Sequence, residues 1–394
     1  MKVLMLTPLM KMGYGVPEAI ASLARGMAPL GIETVVGCMD SDDSFGDLTI
    51  RHVNPHPPLV LDLAAQEGAI VVVANGSPYF EVLPALTGKV RTIAYEYGDP
   101  TPEMFAADAA ERRAIVEHKR SAVYPNVDAV AVISEFIRHD IGWPQSHVVV
   151  LGVDHIPDLG PKPARRRPAE AVDREPLRVG TLMRLGEGEA RYKGTDLLPA
   201  LREAIADGLG DDAEVRFEVM GRGTPEDAAR LRAAGFTVHL NATDFERAAY
   251  LRELDVFVTP SKWEGMNLPL VEAQALGTPG LAFDTGAHPE FTPLLFRSVA
   301  DVALQVAAYS DDRDGLLAEH GRAARAFVRD RLRWQDSAER MARLIRDQAP
   351  STAPRRRRLP ARLADQARRG LLSVRHHGLR ETWRRNSAKL RRTG

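Results

Sequence analysis

Short runs of apolar residues alternate with longer stretches of helical periodicity along most of this chain. Val3–Thr7 predicts a strand, and the apolar side chains of Glu18–Leu30 recur at helical spacing. Other short runs are rich in β-branched residues, which favours strand over helix: Val35–Cys38, Ala69–Ala74, Thr92–Tyr95, Ala129–Ile133 and Val148–Leu151. This alternation predicts an α/β protein whose mostly parallel sheet is covered by helices on both faces.

A proline-rich segment interrupts the alternation. His155–Pro176 contains five prolines and an arginine triplet, which is typical of a linker. The alternation then resumes, with strands predicted at Leu177–Leu182, Val215–Met220, Thr237–Leu240, Val256–Thr259 and Gly280–Phe283, and helices at Thr195–Ala206, Glu226–Ala234, Phe245–Leu251, Leu270–Leu276 and from Val299 and Leu316. We therefore predict two Rossmann-like domains, over 1–160 and 177–335, joined by a linker over 161–176. Their strand ends are expected to line a cleft between them.

Composition excludes several classes of protein. Apolar residues make up 44% of the 394-residue chain and charged residues 27%, as in soluble globular proteins. The single cysteine, Cys38, excludes a disulfide framework and a multi-cysteine zinc site. No uninterrupted apolar run reaches 18 residues, and Met1–Met12 lacks a cleavage-like site, so neither a spanning helix nor a secretory signal is expected. We expect a cytoplasmic protein.

The charge is divided unevenly along the chain. Residues 351–394 contain 14 Lys and Arg against two acidic residues, a net charge of +12, so the other 350 residues carry −13 of the total of −1. Within 355–394 apolar residues recur at i, i+4 between arginines. Such a tail predicts peripheral contact with an anionic membrane, or with nucleic acid or an acidic partner, or a flexible extension against the acidic body. Because the body is acidic, nucleic acid is not expected as its ligand.

The segment Ser261–Glu290 contains the strongest functional pattern. Glu264 and Glu272 lie eight residues apart, with a loop turning into a helix between them. We expect Glu264 on the loop after a strand and Glu272 in the first turn of the helix. A carboxylate there could accept hydrogen bonds from ribose hydroxyls while helix N-terminal amides face a phosphate; the alternative is an acidic residue that only complements the helix dipole.

This stretch resembles the E-x7-E region of the retaining glycosyltransferases of family 4, which have the two-Rossmann-domain (GT-B) fold. Further segments resemble that family in order along the body: Met12–Gly15, Ile133–Phe136, Gly152–Asp154, Arg184 and Lys193, Gly221–Pro225 and Gly286–Glu290. Trp334, ahead of a helix predicted at Asp336–Gln348, resembles the point where the family's last helix returns to the first domain. The resemblance thus implies a crossover helix over 336–349 and a separate tail over 350–394.

The resemblance implies transfer of a sugar, with retention, from a nucleotide-diphosphate sugar to a hydroxyl acceptor. It assigns the leaving phosphates to Arg184 and Lys193, the sugar hydroxyls to Glu264 and the nucleotide ribose to Glu272. Other donor contacts fall on Gly13, Gly15, Gly221, Gly223, Asn267 and Leu268. In the family's front-face mechanism the leaving phosphate accepts the acceptor's proton, so neither a protein base nor a cofactor is implied. A cell-envelope glycan, a lipid-linked sugar and a secondary metabolite all remain open as acceptors.

Two rival functions are weighed against this one. A catalytically inactive nucleotide-sugar-binding or scaffold protein could keep the same fold. An NAD-dependent enzyme is disfavoured because the first strand is not followed by Gly-x-Gly-x-x-Gly.

Two departures from the family pattern matter. Arg184 and Lys193 are nine residues apart where the family has five, so Gly186–Ala190 must loop out, and either Arg184 or Arg191 could reach the phosphates. The second departure is at the end of the Thr92–Tyr95 strand, where many relatives have a sugar-contacting histidine and this chain has Tyr95, Glu96 and Asp99. Their carboxylates could bind a polyol or an amino sugar, or the loop could pack Tyr95 and cap its own turn.

No metal site is predicted. Asp40-Ser41-Asp42 has the DxD spacing of metal-dependent glycosyltransferases that have the GT-A fold. We interpret it as a solvated turn after the second strand. His376-His377 in the tail has no partner ligands nearby in sequence.

Overall fold

The computed structural model describes residues 1–105, 107–162, 175–186, 191–209 and 214–347. The basic tail with His376-His377, and most of the predicted linker and of the Gly186–Ala190 insertion, lie outside these residues. The chain divides into two compact units. Unit 1 contains the described residues of Met1–Val150 and of 337–347, and unit 2 contains the described residues of Leu151–Asp336.

Unit 1 is built on a parallel seven-stranded sheet. Its strands are β1 (Lys2–Met10), β2 (Glu33–Ser41), β3 (Thr49–His52), β4 (Val71–Ala74), β5 (Arg91–Glu96), β6 (Ala129–Val132) and β7 (His147–Val148), in the order β3-β2-β1-β4-β5-β6-β7. Its helices are α1 (Gly15–Met27), α2 (Pro57–Glu67), α3 (Leu83–Leu86), α4 (Ala109–His118) and α5 (Glu135–Asp140). Every residue of β4 and β6 is buried, as expected for strands covered on both faces.

Unit 2 repeats this architecture with six parallel strands. They are β8 (Leu177–Arg184), β9 (Val215–Arg222), β10 (Thr237–Leu240), β11 (Val256–Thr259), β12 (Gly280–Phe283) and β13 (Leu295–Phe296), in the order β10-β9-β8-β11-β12-β13. The helices are α6 (Leu198–Gly208), α7 (Pro225–Ala233), α8 (Asp244–Glu253), α9 (Leu268–Ala275), α10 (His288–Phe291), α11 (Val299–Asp311) and α12 (Ala318–Arg329). The core lies on the sheet, where Val179, Val219 and Val258 pack with Ile205 and Val306 of the helices.

The last described helix, α13 (Trp334–Asp347), begins in unit 2 and continues in unit 1. Within unit 1 the guanidinium of Arg91 donates a 2.8 Å hydrogen bond to the carbonyl of Ile345. The hydroxyl of Ser337 donates to the carbonyl of Val150. The predicted start at Asp336 was wrong by two residues, because Trp334 is the first helical residue.

Both sheets have the Rossmann strand order, which confirms the predicted α/β class with two Rossmann-like domains. In such a sheet the chain winds outward in opposite directions from one pair of neighbouring strands, and ligands bind where the carboxyl ends of that pair diverge. The pair is β1 and β4 in unit 1 and β8 and β11 in unit 2. The loops that follow these strands are therefore the places to look for a site.

Several predicted boundaries were wrong. β2 extends through Ser41, so Asp40 and Ser41 belong to a strand paired with β1 rather than to a turn. The strand predicted at Val148–Leu151 is the two-residue strand β7, because only His147 and Val148 pair with β6. The strands β3 and β13 and the helices α2, α3, α4, α5 and α10 were not predicted, and all of them except α2 and α4 have six residues or fewer, too few to show a periodic pattern.

No helix in the part of the chain that the structure describes is both long and apolar enough to cross a bilayer.

Helix α8 has a capping box that supplies a stability prediction. The Thr243 hydroxyl accepts from the amide of Glu246, whose carboxylate accepts from the Thr243 amide at 2.7 Å. We expect Thr243→Ala to lower the free energy of unfolding by about 1 kcal/mol, because the amide of Glu246 loses its acceptor and the Glu246 carboxylate loses the hydroxyl that donates to it. Chemical denaturation monitored by circular dichroism measures this change. Thr243→Ser keeps the hydroxyl, so its free energy of unfolding should stay close to that of the parent. An equal loss of stability in both variants would contradict the explanation.

Candidate active site

The diverging strand pair of unit 2 brings together two loops that carry predicted site residues. Arg184 is the last residue of β8, and Lys193 lies in the 3-10 turn Arg191–Lys193 of the same loop. The loop after β11 contains Glu264. The two loops pack closely, since the amide of Lys262 donates a 2.7 Å hydrogen bond to the carbonyl of Tyr192. Gly194, at φ +72°, is required there because a Cβ would overlap the carbonyl oxygen of Pro260.

Lys193 and Glu264 form an ion pair at this edge. The ammonium Nζ lies 2.8 and 2.9 Å from the two carboxylate oxygens, and the Glu264 side chain is only 4% exposed. Burial works to lower the pKa of Lys193, but the adjacent carboxylate outweighs burial and the pKa is raised above its ordinary value. The positive charge of Arg184 opposes that rise, which places Arg184 within electrostatic reach of the pair. Lys193 is therefore a fixed positive charge at neutral pH.

The side chain of Asn267 orients the Glu264 carboxylate. Its Nδ2 donates to Oε1 of Glu264 at 3.3 Å and to the hydroxyl of Thr259 at 3.0 Å. Its Oδ1 accepts from the amide of Leu270 at 3.2 Å, so the same residue caps α9. Asn267 thus links the start of the helix to the acidic residue before it.

His288 completes this cluster and was missed as a candidate, although it lies within the Gly286–Glu290 motif. It is fully buried, and its Nδ1 donates to the carbonyl of Phe283 at 2.7 Å, which leaves Nε2, 3.4 Å from Asn267 Nδ2, as an acceptor. Burial, together with the nearby Lys193, lowers the pKa of His288 below its ordinary value, against the opposing charge of Glu264. The imidazole is therefore neutral, and its Nε2 lies beside the amide of Asn267.

Gly286 supports the backbone of Glu264. It adopts φ +57°, and a Cβ at this position would lie 2.5 Å from the carbonyl oxygen of Glu264. The amide of Ala287 donates a 2.9 Å hydrogen bond to that same carbonyl. The glycine of this motif is thus needed for the close approach of two loops.

Glu272 lies in the second turn of α9, so its predicted position in the first turn was wrong. The helix starts at Leu268 because Asn267 caps it and Pro269 is tolerated in the first turn. Glu272 is 1% exposed; its Oε1 lies 2.9 Å from Nε2 of His155, and its Oε2 lies 3.7 Å from Nε of Arg247. Burial favours a raised pKa, but Arg247 and His155 outweigh it and the pKa of Glu272 is lowered. The carboxylate is therefore ionised.

The start of α9 offers few amides to a phosphate. Pro269 has no N–H, and the amide of Leu270 already donates to Asn267. Leu268, the first helical residue, keeps an amide that has no partner within the helix. Contacts of a donor with Asn267 and Leu268 remain predictions.

Gly221 and Gly223 have a packing role. A Cβ on Gly221 would overlap the carbonyl oxygen of Met183, and one on Gly223 would lie 2.8 Å from Cβ of Leu185. Glycine is therefore required where the end of β9 approaches the end of β8. The expected contacts of a donor with Gly221 and Gly223 stay predictions.

In unit 1 the predicted glycine loop follows the first strand of the diverging pair. Gly13 adopts φ +80° after β1, and Gly15 is the first residue of α1. The loop therefore lies where a ligand of the unit 1 sheet is expected. Its contact with a donor stays a prediction.

Tyr95, Glu96 and Asp99 are engaged inside unit 1. The hydroxyl of the fully buried Tyr95 donates to the carbonyl of Val149 at 2.7 Å. The carboxylate of Glu96 accepts from Lys119 Nζ at 2.7 Å and from the amide of Gly98 at 3.0 Å, and Asp99 also pairs with Lys119. The geometry favours the alternative in which this loop packs Tyr95 and caps its own turn.

Lys119 was missed as a partner of these carboxylates. It lies in the π-helical turn Lys119–Val123 after α4, within a sequence that looks like an exposed basic stretch. Its side chain is 2% exposed. Burial works to lower its pKa, but Glu96, Tyr124 and Glu81 together outweigh burial and the pKa is raised, so the lysine is ionised.

We expect Lys119→Met to destabilise unit 1 by about 3–5 kcal/mol, because the buried carboxylate of Glu96 loses its counter-ion. Denaturant titration measures the loss. Lys11→Met is the matched control, since Lys11 pairs with Asp40 at the surface of the same unit and should cost at most about 1 kcal/mol. Equal effects of the two substitutions would contradict the assignment.

Among the described residues no group of three or more His, Cys, Asp or Glu side chains could hold a metal ion. In the Asp40-Ser41-Asp42 segment, Asp40 pairs with Lys11 at 2.6 Å and Asp42 accepts from the amide of Ser44 at 3.0 Å.

Comparison with known proteins finds a family model and a curated relative that this chain resembles. Residues 179–334, less than half of the chain, match the family model described as Glycosyl transferases group 1. Over 95 residues the chain is 39% identical to the lipopolysaccharide core biosynthesis mannosyltransferase LpsB of Rhizobium meliloti (strain 1021). That stretch covers 24% of this chain and 23% of LpsB.

Solved structures share the fold of the whole described body. Sucrose-phosphate synthase from Thermosynechococcus elongatus is similar with a TM-score of 0.70 at 18% identity, covering 88% of this chain and 98% of that one. The Anabaena protein HepE, solved in complex with UDP and glucose, has a TM-score of 0.67 at 15% identity, covering 88% and 99%. The two parallel-sheet domains match the GT-B fold of these structures.

Proposed function

We propose that this protein is a retaining glycosyltransferase that moves a sugar from a nucleotide-diphosphate sugar to a hydroxyl acceptor. The observation that carries the proposal is the Lys193–Glu264 ion pair, with Arg184 nearby, at the diverging strand ends of unit 2. This cluster falls inside the segment that matches the glycosyl transferase family model. A second argument is the likeness in fold to sucrose-phosphate synthase and to HepE, which was solved with UDP and glucose.

The reaction needs stabilisation of negative charge on the leaving diphosphate. The bond between the anomeric carbon and the β-phosphate oxygen breaks, and its electron pair stays on the phosphate. Lys193 is ionised and stabilises this developing charge, and Arg184 adds a second positive charge. The amide of Leu268 supplies a further donor.

Glu264 would exchange its partner when the donor binds. As Lys193 turns toward the phosphates, the carboxylate keeps its hydrogen bond to Asn267 and accepts hydrogen bonds from the sugar hydroxyls. The acceptor oxygen forms the new bond to the anomeric carbon on the face that the phosphate leaves. Its proton passes to that phosphate, so the products are a glycoside of retained configuration and a protonated nucleoside diphosphate.

Lys193→Met should lower kcat/KM for sugar transfer about 100-fold or more, because the leaving phosphate loses its principal positive charge. Turnover is measured as nucleoside diphosphate released from UDP-, GDP- and ADP-linked hexoses. Lys262→Met is the matched control: Lys262 lies in the other loop but pairs with Asp196 at 2.6 Å, and its loss should leave turnover within about threefold.

The same panel distinguishes the rival function. If the parent protein shows a thermal shift with a nucleotide-diphosphate sugar but never releases the diphosphate, the chain is an inactive binding or scaffold protein. If no nucleotide in the panel raises the melting temperature, the proposal fails. A ligand at 100 times its Kd stabilises by about 2.7 kcal/mol, which a thermal scan detects.

We also propose that the basic tail, residues 355–394, associates with anionic membrane. Its charge of +12 over residues 351–394 supports an electrostatic attraction worth about 1 kcal/mol for each Lys or Arg near the surface. An acceptor at the membrane would then be within reach. The full-length protein should float with vesicles containing phosphatidylserine and not with neutral ones, and changing Arg355–Arg358 to Gln should reduce flotation. If a chain lacking residues 355–394 floats with these vesicles as well as the full-length protein does, the proposal is wrong.

A further inference from the structure

The two oxygens of the Glu272 carboxylate differ in their hydrogen bonding. Oε1 lies 2.9 Å from Nε2 of His155, whereas Oε2 is buried and accepts no hydrogen bond from any residue that the structure describes. Arg247 Nε is 3.7 Å from Oε2, too far for a hydrogen bond but close enough to keep the carboxylate ionised. A buried carboxylate oxygen without a donor is costly, so its position indicates a ligand group.

Trp334 fixes the proton of His155. The indole Nε1 carries a hydrogen and can only donate, and it lies 3.0 Å from Nδ1 of His155. Nδ1 must therefore accept, which places the ring proton on Nε2, where it is donated to Glu272. A doubly protonated ring would set an N–H of His155 against the N–H of Trp334.

The backbone around His155 is fixed by hydrogen bonds to the segment that contains Trp334. The amide of Trp334 donates to Oδ1 of Asp154 at 2.7 Å, and the amide of Val153 donates to the carbonyl of Leu332 at 2.9 Å. Gly152 packs against Trp334 so closely that a Cβ would overlap its backbone nitrogen. His155 is thus presented to Glu272 by two chain segments that are 180 residues apart in sequence.

We propose that His155 is a positioning residue, oriented by Trp334, that holds one oxygen of Glu272 so that the other accepts a ribose hydroxyl of the nucleotide donor. This inference rests on the proposed function, because it takes the ligand to be a ribonucleoside diphosphate. The hydroxyl would supply the missing hydrogen bond to Oε2. Without His155 the carboxylate could rotate, and either oxygen could turn toward Arg247.

The ratio of two dissociation constants measures this role. Isothermal titration of the full chain compares a ribonucleoside diphosphate with its 2′,3′-dideoxy analogue, using whichever of UDP, GDP or ADP binds the parent. The parent should prefer the ribonucleotide at least tenfold, because the analogue leaves Oε2 without a donor. His155→Leu should bring the ratio to within about threefold of one, as should Glu272→Gln.

Two variants separate positioning from general damage. His155→Gln places an amide N–H near the position of Nε2 and should restore most of the preference. Trp334→Phe keeps an aromatic ring but removes the donor to Nδ1. It should shift the ¹⁵N resonances of His155 from the Nε2–H tautomer toward a mixture, a readout that needs no nucleotide. Inorganic pyrophosphate, which lacks the ribose, should bind parent and variants alike.

The possible outcomes are distinct. If the parent binds no nucleoside diphosphate, the proposed function and this inference both fail. If the parent prefers the ribonucleotide and folded His155→Leu prefers it equally, only the inference fails. A parent spectrum with the proton on Nδ1 of His155 would also overturn it, and so would an equal loss of pyrophosphate and nucleotide binding in His155→Leu.

Discussion

A buried carboxylate must have a counter-charge, and the site of unit 2 is organised around that requirement. Glu264 is nearly inaccessible to solvent and is matched by Lys193 from the neighbouring loop. Its other contacts come from Asn267 and from the backbone at Ala287. Three separate segments therefore meet at Glu264, and the ion pair ties the local fold to the electrostatics of the site.

The same requirement is met in three different ways in this protein. The lysine that pairs with Glu264 is partly exposed, so it can leave the carboxylate for another partner. This suits a residue that contacts a substrate. Glu96 has Lys119, which is as buried as its partner, which suits a structural contact. Glu272 has a histidine on one oxygen and a more distant arginine near the other. The nature and accessibility of the partner distinguish the three carboxylates more clearly than their burial does.

Much of the fold followed from the periodicity of the sequence. Strands β10, β11 and β12 have the predicted limits, since short β-branched or apolar runs bounded by turn residues leave little freedom. The limits of α9 and α13 were less predictable, because the caps and first turns are set by Asn267 and by Trp334 through side-chain and backbone contacts. The spacing of Glu264 and Glu272 indicated a site, but it placed Glu272 one turn too early.

The sequence by itself determined the α/β class, the repeat of a Rossmann-like domain and the cluster of candidates around Ser261–Glu290, because these depend on local periodicity and on spacing within one segment. Only the tertiary structure decided which side chains face each other. Lys193 with Glu264, Lys119 with Glu96 and His155 with Glu272 are separated by 71, 23 and 117 residues. Such pairs form because parallel strand order brings distant loops to one edge of a sheet, and strand order is a property of the folded chain.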